Sequence, residues 1–192
     1  MQATSGNTLS IWAATIDLPS RPQLREDAQA DVCVVGAGIA GMTTAYLLGR
    51  AGKTVVVLDD GPIGGGMTGR TTAHLVTALD DRYFEMERLH GLEGSRLAAQ
   101  SHADSIDQIE RIVQSEKINC EFERLEGYLF VPPGESKEIL RREIEAANRA
   151  GLTKVELVER APIESYDTGE ALRFPRQAQF HPLKYLSGLA NA

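Results

Sequence analysis

The sequence predicts an α/β fold whose first part is a parallel β-α-β unit between Asp31 and Asp60. Three observations predict it: an apolar run at 32–35, apolar residues at helical spacing from Met42 to Arg50, and a β-branched run at 54–58. Runs without polar alternation are typical of parallel strands that are covered on both faces, which places Cys33 in a buried strand. Two such strands joined by one helix form a right-handed unit of a single sheet.

The composition of the 192 residues is that of a globular protein, with 42% hydrophobic and 24% charged residues. Twenty basic residues stand against 27 acidic ones, and no basic stripe is present that could follow a polynucleotide backbone, so we expect no nucleic-acid partner. The longest apolar stretch, 32–48, is interrupted by Gly and Thr and is too short for a membrane span. Two cysteines do not suggest a disulfide framework, so a soluble protein of the cytoplasm is expected.

The first thirty residues are predicted to form an arm that lies on the domain. They are polar and lack a basic start followed by an apolar block, which argues against a secretory signal. Their apolar anchors are Ile11, Trp12, Ile16 and Leu18.

The elements after the β-α-β unit follow from local periodicity. A helical pattern covers 81–117, with a break near 91–94, and a further helix is predicted at 135–150. Strands are predicted at 120–131, at 155–158 and from Phe174 to His181, the last followed by a helix up to Leu189. Glu126-Gly127 is expected to form a turn, within a strand pair or a single strand, before Pro132-Pro133-Gly134.

A glycine fingerprint, Gly36-Ala-Gly38-Ile39-Ala40-Gly41, lies between the first predicted strand and the helix. In that position Gly36 permits the tight turn, Gly38 leaves room for a pyrophosphate against bare backbone, and Gly41 allows close packing of helix and strand. The free amides and the positive end of the helix then face the phosphates. The segment is therefore predicted to bind a dinucleotide.

Asp59 follows the second predicted strand, where an acidic side chain accepts hydrogen bonds from a ribose diol, and Asp60 could share or take over this role. A carboxylate at this place would repel a 2′-phosphate and so disfavours NADP. From these residues alone, both FAD and NAD remain open.

The string from Asp31 to Asp59 resembles the N-terminal FAD motif of the D-amino-acid oxidase, glycine oxidase and sarcosine oxidase superfamily. Further positions of the family motif match as closely as its glycines do, namely Ala45, Leu48, Gly52, Val55 and Val57. A second glycine-rich stretch, Gly64 to His74, looks like the loop that lies along the flavin pyrophosphate and ring in that family. The resemblance implies a Rossmann-like FAD-binding domain.

The same resemblance gives roles to the loop residues. Its members are Thr68, Gly69, Arg70, Thr71, Thr72, Ala73 and His74, which are expected to approach the flavin side of the cofactor. Arg70 could place its guanidinium near a flavin phosphate or ring oxygen, or it could be a solvated loop arginine. Some relatives attach the flavin to a histidine near this loop. Alignment puts Arg70 and not His74 at that position, so we expect non-covalent binding.

With Ser10-Ile-Trp12 before it and Phe180-His-Pro-Leu183 near the end, the chain is also similar to bacterial members of the superfamily that carry a C-terminal Rieske iron–sulfur domain. The paired Cys and His ligands of such a centre do not occur here, and no metal site is predicted. We therefore expect this chain to be the N-terminal part of a larger flavoenzyme. Its predicted regions are an arm at 1–30, an FAD-binding segment at 31–117, and at 118–192 the start of an α+β substrate domain with a segment that returns to the FAD-binding domain.

The resemblance implies an FAD-dependent oxidoreductase that oxidises an amine or amino acid by hydride transfer, with electrons passing to oxygen or to an iron–sulfur domain. Catalytic residues stay unassigned. Two alternatives are an NAD-binding dehydrogenase module, against which the loop after Asp59 argues, and an inert fragment that binds nothing tightly. A flavin spectrum and ligand-dependent melting distinguish them.

Overall fold

A computed structural model describes residues 8–18, 20–132 and 134–192. The predictions that involve residues 1–7, Pro19 and Pro133 lie outside the described residues. The chain divides into two compact units. Of the described residues, the first unit comprises those up to Ala73, Ile112–Phe122 and Phe180–Ala192, and the second comprises those within His74–Arg111 and Glu123–Gln179. The predicted domain boundaries at 30/31 and 117/118 stay predictions.

The described residues contain five α-helices and six strands, with a 3₁₀ turn at Met67–Arg70. The helices are α1 (Ile11–Ala14), α2 (Ile39–Arg50), α3 (Tyr83–Ser115), α4 (Glu138–Arg149) and α5 (Pro182–Leu189). The strands are β1 (Val32–Val35), β2 (Val55–Leu58), β3 (His74–Leu75), β4 (Glu123–Phe130), β5 (Glu156–Val158) and β6 (Ala171–Gln179). No helix in this part of the chain combines the length and the apolar composition that crossing a bilayer requires.

The first unit contains the predicted parallel β-α-β unit. β1 pairs with β2 in parallel register, from Val32 opposite Val55 to Val35 opposite Leu58, and α2 contacts both strands. The helix ends in a Schellman motif, in which Lys53 N donates to Leu48 O (3.0 Å) and Gly52, at φ +79°, donates to Gly49 O (2.9 Å). The left-handed backbone at Gly52 explains why a glycine stops this helix.

The second unit is an antiparallel sheet with two helices. β6 pairs with β4 along most of its length, with β3 near its end and with β5 near its beginning. The core between α3, α4 and β6 contains both small and large apolar side chains, including Tyr83, Ala99, Leu140, Ala146, Ala147, Leu172 and Phe174. The helix predicted to break near 91–94 is kinked at Gly91, whose φ of 71° is not helical.

The predicted turn at Glu126-Gly127 is wrong, because β4 is one continuous strand. Leu125 pairs with Gln177 and Gly127 pairs with Phe174, so the irregularity is a bulge in which β6 carries the additional residue. Within it lie Pro175, which has no amide to donate, and Arg176, whose φ is +61°. A glycine within a strand pattern is compatible with a bulge as well as with a turn, and the local sequence does not distinguish the two.

Cys33 was predicted to be buried, but it is exposed. Val34 faces α2, since its Cγ1 is 3.3 Å from a Cβ built at Gly41, so Cys33 and Val35 point to the opposite side of the sheet. Val35 is 84% exposed there.

Of the apolar anchors predicted for the arm, Ile11 is exposed as well, whereas Trp12, Ile16 and Leu18 are half-buried. The sequence pattern identified the strand and the arm but not which side chains they cover.

The two thiols are therefore expected to react at very different rates. Cys120 is fully buried, and burial raises the pKa of its thiol to about 11, so little thiolate forms near neutral pH. A disulfide exchange reagent at pH 8 should label about one thiol per chain rapidly and the second only after unfolding. Cys33→Ser should remove the rapid phase and Cys120→Ser should leave it. Rapid labelling of both thiols in the folded protein would contradict this structure.

Candidate functional site

The glycine turn between β1 and α2 is closed by backbone contacts that exclude side chains. Gly36 has a φ of +106° and donates its amide to Leu58 O at 2.7 Å, which ties the turn to the end of β2. A Cβ at Gly41 would lie 1.9 Å from Gly36 O, and a Cβ at Gly38 would lie 3.0 Å from Thr68 Oγ1. The turn thus needs glycine for backbone conformation at Gly36 and for helix–strand approach at Gly41.

The N-terminus of α2 opens directly from this turn. The backbone amides of its first turn have no carbonyl partner within the helix, and no acidic side chain occupies that turn. The Ile39 amide donates to Thr68 Oγ1 at 3.3 Å. The amides of Ala40 and Gly41 come next in the first turn of the helix. This end carries the positive pole of the helix dipole and suits a phosphate group.

The Asp59 carboxylate lies against the same turn. Its Oδ2 accepts a hydrogen bond from Ala37 N at 2.6 Å and its Oδ1 accepts one from Gly61 N at 2.8 Å. Gly64 N donates to Ala37 O at 2.9 Å, so the loop after β2 is held on the glycine turn as well. The residues predicted for the phosphates and for the ribose are therefore neighbours, with Asp60 exposed beside Asp59.

A cavity of about 950 Å³ lies at this place in the first unit. Its lining from the β-α-β unit and the following loop is mostly apolar and includes Ala37, Met42, Val57, Leu58, Pro62 and Ile63, with Asp59 and Asp60 as its charged members. The remaining wall comes from Ala190, Leu18 and residues 20–24 of the arm. A cavity of this size that combines apolar walls with several polar side chains is typical of small-molecule sites.

The loop predicted to approach a flavin is divided between the two units. Residues up to Ala73 belong to the first unit, where Thr68 is at the helix end and a Cβ at Gly69 would lie 2.8 Å from Gly64 O. Ala73 is buried with a φ of +65°, in the left-handed region that non-glycine residues seldom adopt.

The side chains of the other residues in this loop are more exposed to solvent. Arg70 and Thr71 are half-buried, and Thr72 is exposed. His74 begins β3 in the second unit, where it pairs with Gln179 and its side chain is exposed.

The arm contributes contacts to this site that the sequence did not reveal. The Trp12 indole donates to Thr71 O at 2.8 Å and meets the His181 ring edge-on at a centroid distance of 5.1 Å.

His181 caps α5, because its Nδ1 accepts a hydrogen bond from the Lys184 amide at 3.2 Å. Its Nε2 therefore carries the proton and donates to Thr15 Oγ1 at 2.9 Å. Burial and the Lys184 charge lower the pKa of His181, which favours this neutral form. The available signal was the pairing of Ser10-Ile-Trp12 with Phe180-His-Pro-Leu183 in the family resemblance.

No group of three or more His, Cys, Asp or Glu side chains is placed to hold a metal ion in the described ranges.

A family model described as FAD dependent oxidoreductase matches residues 31–192. Among curated proteins, a proposed Rieske 2Fe-2S iron–sulfur protein of Bacillus subtilis (strain 168), YhfW, is 36% identical over 94% of this chain and 35% of its own length. Gamma-glutamylputrescine oxidoreductase of Escherichia coli (strain K12) is 29% identical over 88% of this chain and 40% of its own length. The chain therefore spans well under half the length of these relatives.

Solved structures show the same fold at low sequence identity. The L-amino acid deaminase from Proteus myxofaciens, in complex with anthranilate, superposes with a TM-score of 0.67 at 14% identity and covers 92% of this chain and 39% of its own. Glycine oxidase from Geobacillus kaustophilus superposes with a TM-score of 0.65 at 19% identity, over 84% of this chain and 43% of its own.

Proposed function

Because this chain belongs to the family of FAD-dependent oxidoreductases, we propose that its first unit binds the adenosine diphosphate half of FAD and that the whole protein oxidises an amine or amino acid. The α/β fold and the family resemblance predicted from the sequence are confirmed. Which residues hold the cofactor stays part of the proposal.

One observation supports the assignment of the site: a cavity of the first unit is lined by Ala37 of the glycine turn, by Met42 near the start of α2 and by Asp59, whose carboxylate accepts the Ala37 amide. In the proposal the amides at Gly38, Ile39, Ala40 and Gly41 bind the pyrophosphate. The Asp59 carboxylate accepts hydrogen bonds from the ribose diol, and it is already oriented by the Ala37 and Gly61 amides. The donor set fits the group, because phosphate meets amides and a hydroxyl pair meets a carboxylate.

The loop after β2 supplies the other end of the site. Thr68, Gly69, Arg70, Thr71 and Thr72 are proposed to lie along the pyrophosphate and the flavin side, with Ala73 and His74 following. The small side chains permit close approach of backbone donors, and the Arg70 guanidinium would balance phosphate charge. No covalent link to His74 is proposed.

When bound, FAD supplies the redox chemistry by accepting a hydride from a substrate C–H next to nitrogen. This chain's contribution is to hold and orient the cofactor. The amine or amino-acid substrate class is supported by the family and by the Escherichia coli relative, which is named for gamma-glutamylputrescine. Onward electron transfer to an iron–sulfur centre is supported by the name of the Bacillus subtilis relative, with oxygen as the other acceptor we consider.

Ligand-dependent melting tests this proposal on the 192-residue chain. A ligand that binds only the folded state adds about 2.7 kcal/mol at 100 times its Kd, so FAD should raise the melting temperature and NAD should not. Asp59→Ala is expected to weaken FAD binding by about tenfold, through loss of hydrogen bonds to a charged group. Asp60→Ala serves as the matched control and should change the affinity by less than about twofold.

The outcome also separates the alternatives. A chain stabilised by NAD but not by FAD would be a nicotinamide-binding module, and a chain stabilised by neither would be an inert fragment. If Asp60→Ala lost affinity and Asp59→Ala did not, the ribose would be held by Asp60. Each result can be read from the melting curves and the bound flavin absorbance alone.

A further inference from the structure

The N-terminal arm is fixed to the first unit at two widely spaced places. At α1, Trp12 donates to Thr71 O and Thr15 pairs with His181, so the arm is joined to the flavin-side loop. Farther along, Arg21 Nη2 donates to Ala190 O at 2.8 Å, just after α5 ends. Residues 16–18 and 20–24, which lie between and just beyond these anchors, therefore have a defined course over the unit.

This course takes the arm along the cavity at Asp59. Leu18 and residues 20–24 line it together with Val57, Leu58 and Ile63. The Leu24 side chain is 59% exposed and belongs to the lining, so a group that occupies the cavity would cover it and remove its apolar surface from water.

From this placement we propose that the arm forms the adenine-binding wall of the FAD site, with Leu24 and Pro22 against the face of the base and Ser20 and Gln23 as polar groups for its edge. The inference rests on the proposed function. A ribose held by Asp59 places its base one glycosidic bond away, within the same cavity. The arm would thereby make the site selective for the adenosine half of the cofactor.

The polar groups of the cavity fit the adenosine part of the cofactor. Asp59 and Asp60 place two carboxylates in the lining and Arg21, whose Nη2 donates to Ala190 O, places one guanidinium there, so the lining is acidic on balance and does not favour a further anionic group. A purine has apolar faces and a hydrogen-bonding edge, which matches a wall of leucine and proline that also carries an amide and a hydroxyl.

The test compares two exposed leucines of the same arm. Leu24→Ser removes the apolar wall, and Leu9→Ser, at a position 73% exposed and outside the cavity lining, is the matched control. Both changes are at exposed sites and should leave the melting temperature of the ligand-free chain nearly unchanged. Affinities for FAD, for ADP and for FMN, which lacks the adenosine half, are measured by flavin fluorescence or calorimetry.

Leu24→Ser is expected to weaken FAD and ADP binding by about fivefold to tenfold, the effect of losing one well-packed apolar contact, and to leave FMN unchanged. Leu9→Ser should bind all three ligands like the original chain. As a second measurement, ADP should slow hydrogen exchange at the amides of Gln23 and Leu24.

Two outcomes would overturn the inference while leaving the proposed function intact: undiminished FAD and ADP affinity in Leu24→Ser, or equal losses for FAD and FMN. Unchanged exchange at 23–24 with ADP bound would overturn it as well. If the original chain binds neither FAD nor ADP, the proposed function fails and the inference fails with it. The comparison of original chain and variant therefore distinguishes the two failures.

Discussion

Gly41→Ala is expected to abolish FAD binding and to destabilise the first unit by at least about 3 kcal/mol, because the added methyl group has no room. Its Cβ would lie 1.9 Å from Gly36 O and 3.0 Å from Gly36 C, both backbone atoms of the turn that starts the helix. A flexible side chain could move away, but here α2 would have to shift off β1. That shift would also displace the amides proposed to bind the pyrophosphate.

Gly49→Ala is the matched control on the same helix. A Cβ at Gly49 meets no atom within 4 Å, so alanine there should stabilise the unit by about 0.5–1 kcal/mol through its higher helix propensity. Urea unfolding gives the stability of each variant and flavin absorbance gives the cofactor content. A Gly41→Ala chain as stable as the original would show that the helix does not approach the turn as closely as described.

Glu143→Ala should have the largest effect in the second unit, a loss of about 3–4 kcal/mol of stability. Glu143 is fully buried on α4, and its carboxylate accepts the Tyr83 amide at 3.0 and 2.8 Å and the Phe84 amide at 3.4 Å. These amides begin α3, so the side chain of one helix caps the other. Its removal leaves buried donors without a partner and a void in the core.

Glu145→Ala, at an exposed position of the same helix, is the control and should change stability by less than about 0.5 kcal/mol. Thermal or urea unfolding checks both variants. Similar losses for the two variants would contradict a specific role of the buried carboxylate in capping α3.

The pH dependence of stability provides a separate measurement of Glu143. Burial raises the pKa of this carboxyl above its ordinary 4.5, although the Tyr83 and Phe84 amides oppose the shift. Because the folded state then binds the proton more readily than the unfolded chain, protonation stabilises the fold, fully below pH 4.5. That contribution is lost as pH rises through the raised pKa. The stability difference between the original chain and Glu143→Gln should decline over this window and be constant above it.

The sequence by itself determined the β-α-β unit and the family. Gly36, Gly38, Gly41 and Asp59 specify conformations and close approaches within the short stretch 36–59, so their spacing is enough to predict them. The helix end at Gly52 and the break near Gly91 could be predicted for the same reason, since the physics that stops a helix is local.

Only the tertiary structure decided which side chains are covered. Cys33 lies in the strand that the sequence predicted, yet it faces away from α2, and the strand pattern alone does not state which face a helix covers. The bulge opposite Gly127 depends on how β6 pairs with β4, and the burial of Glu143 depends on Tyr83, sixty residues away. The arm's course depends on Trp12 with Thr71 and Thr15 with His181. Burial and such long-range hydrogen bonds are properties of the packed chain, because they require partners that local sequence does not name.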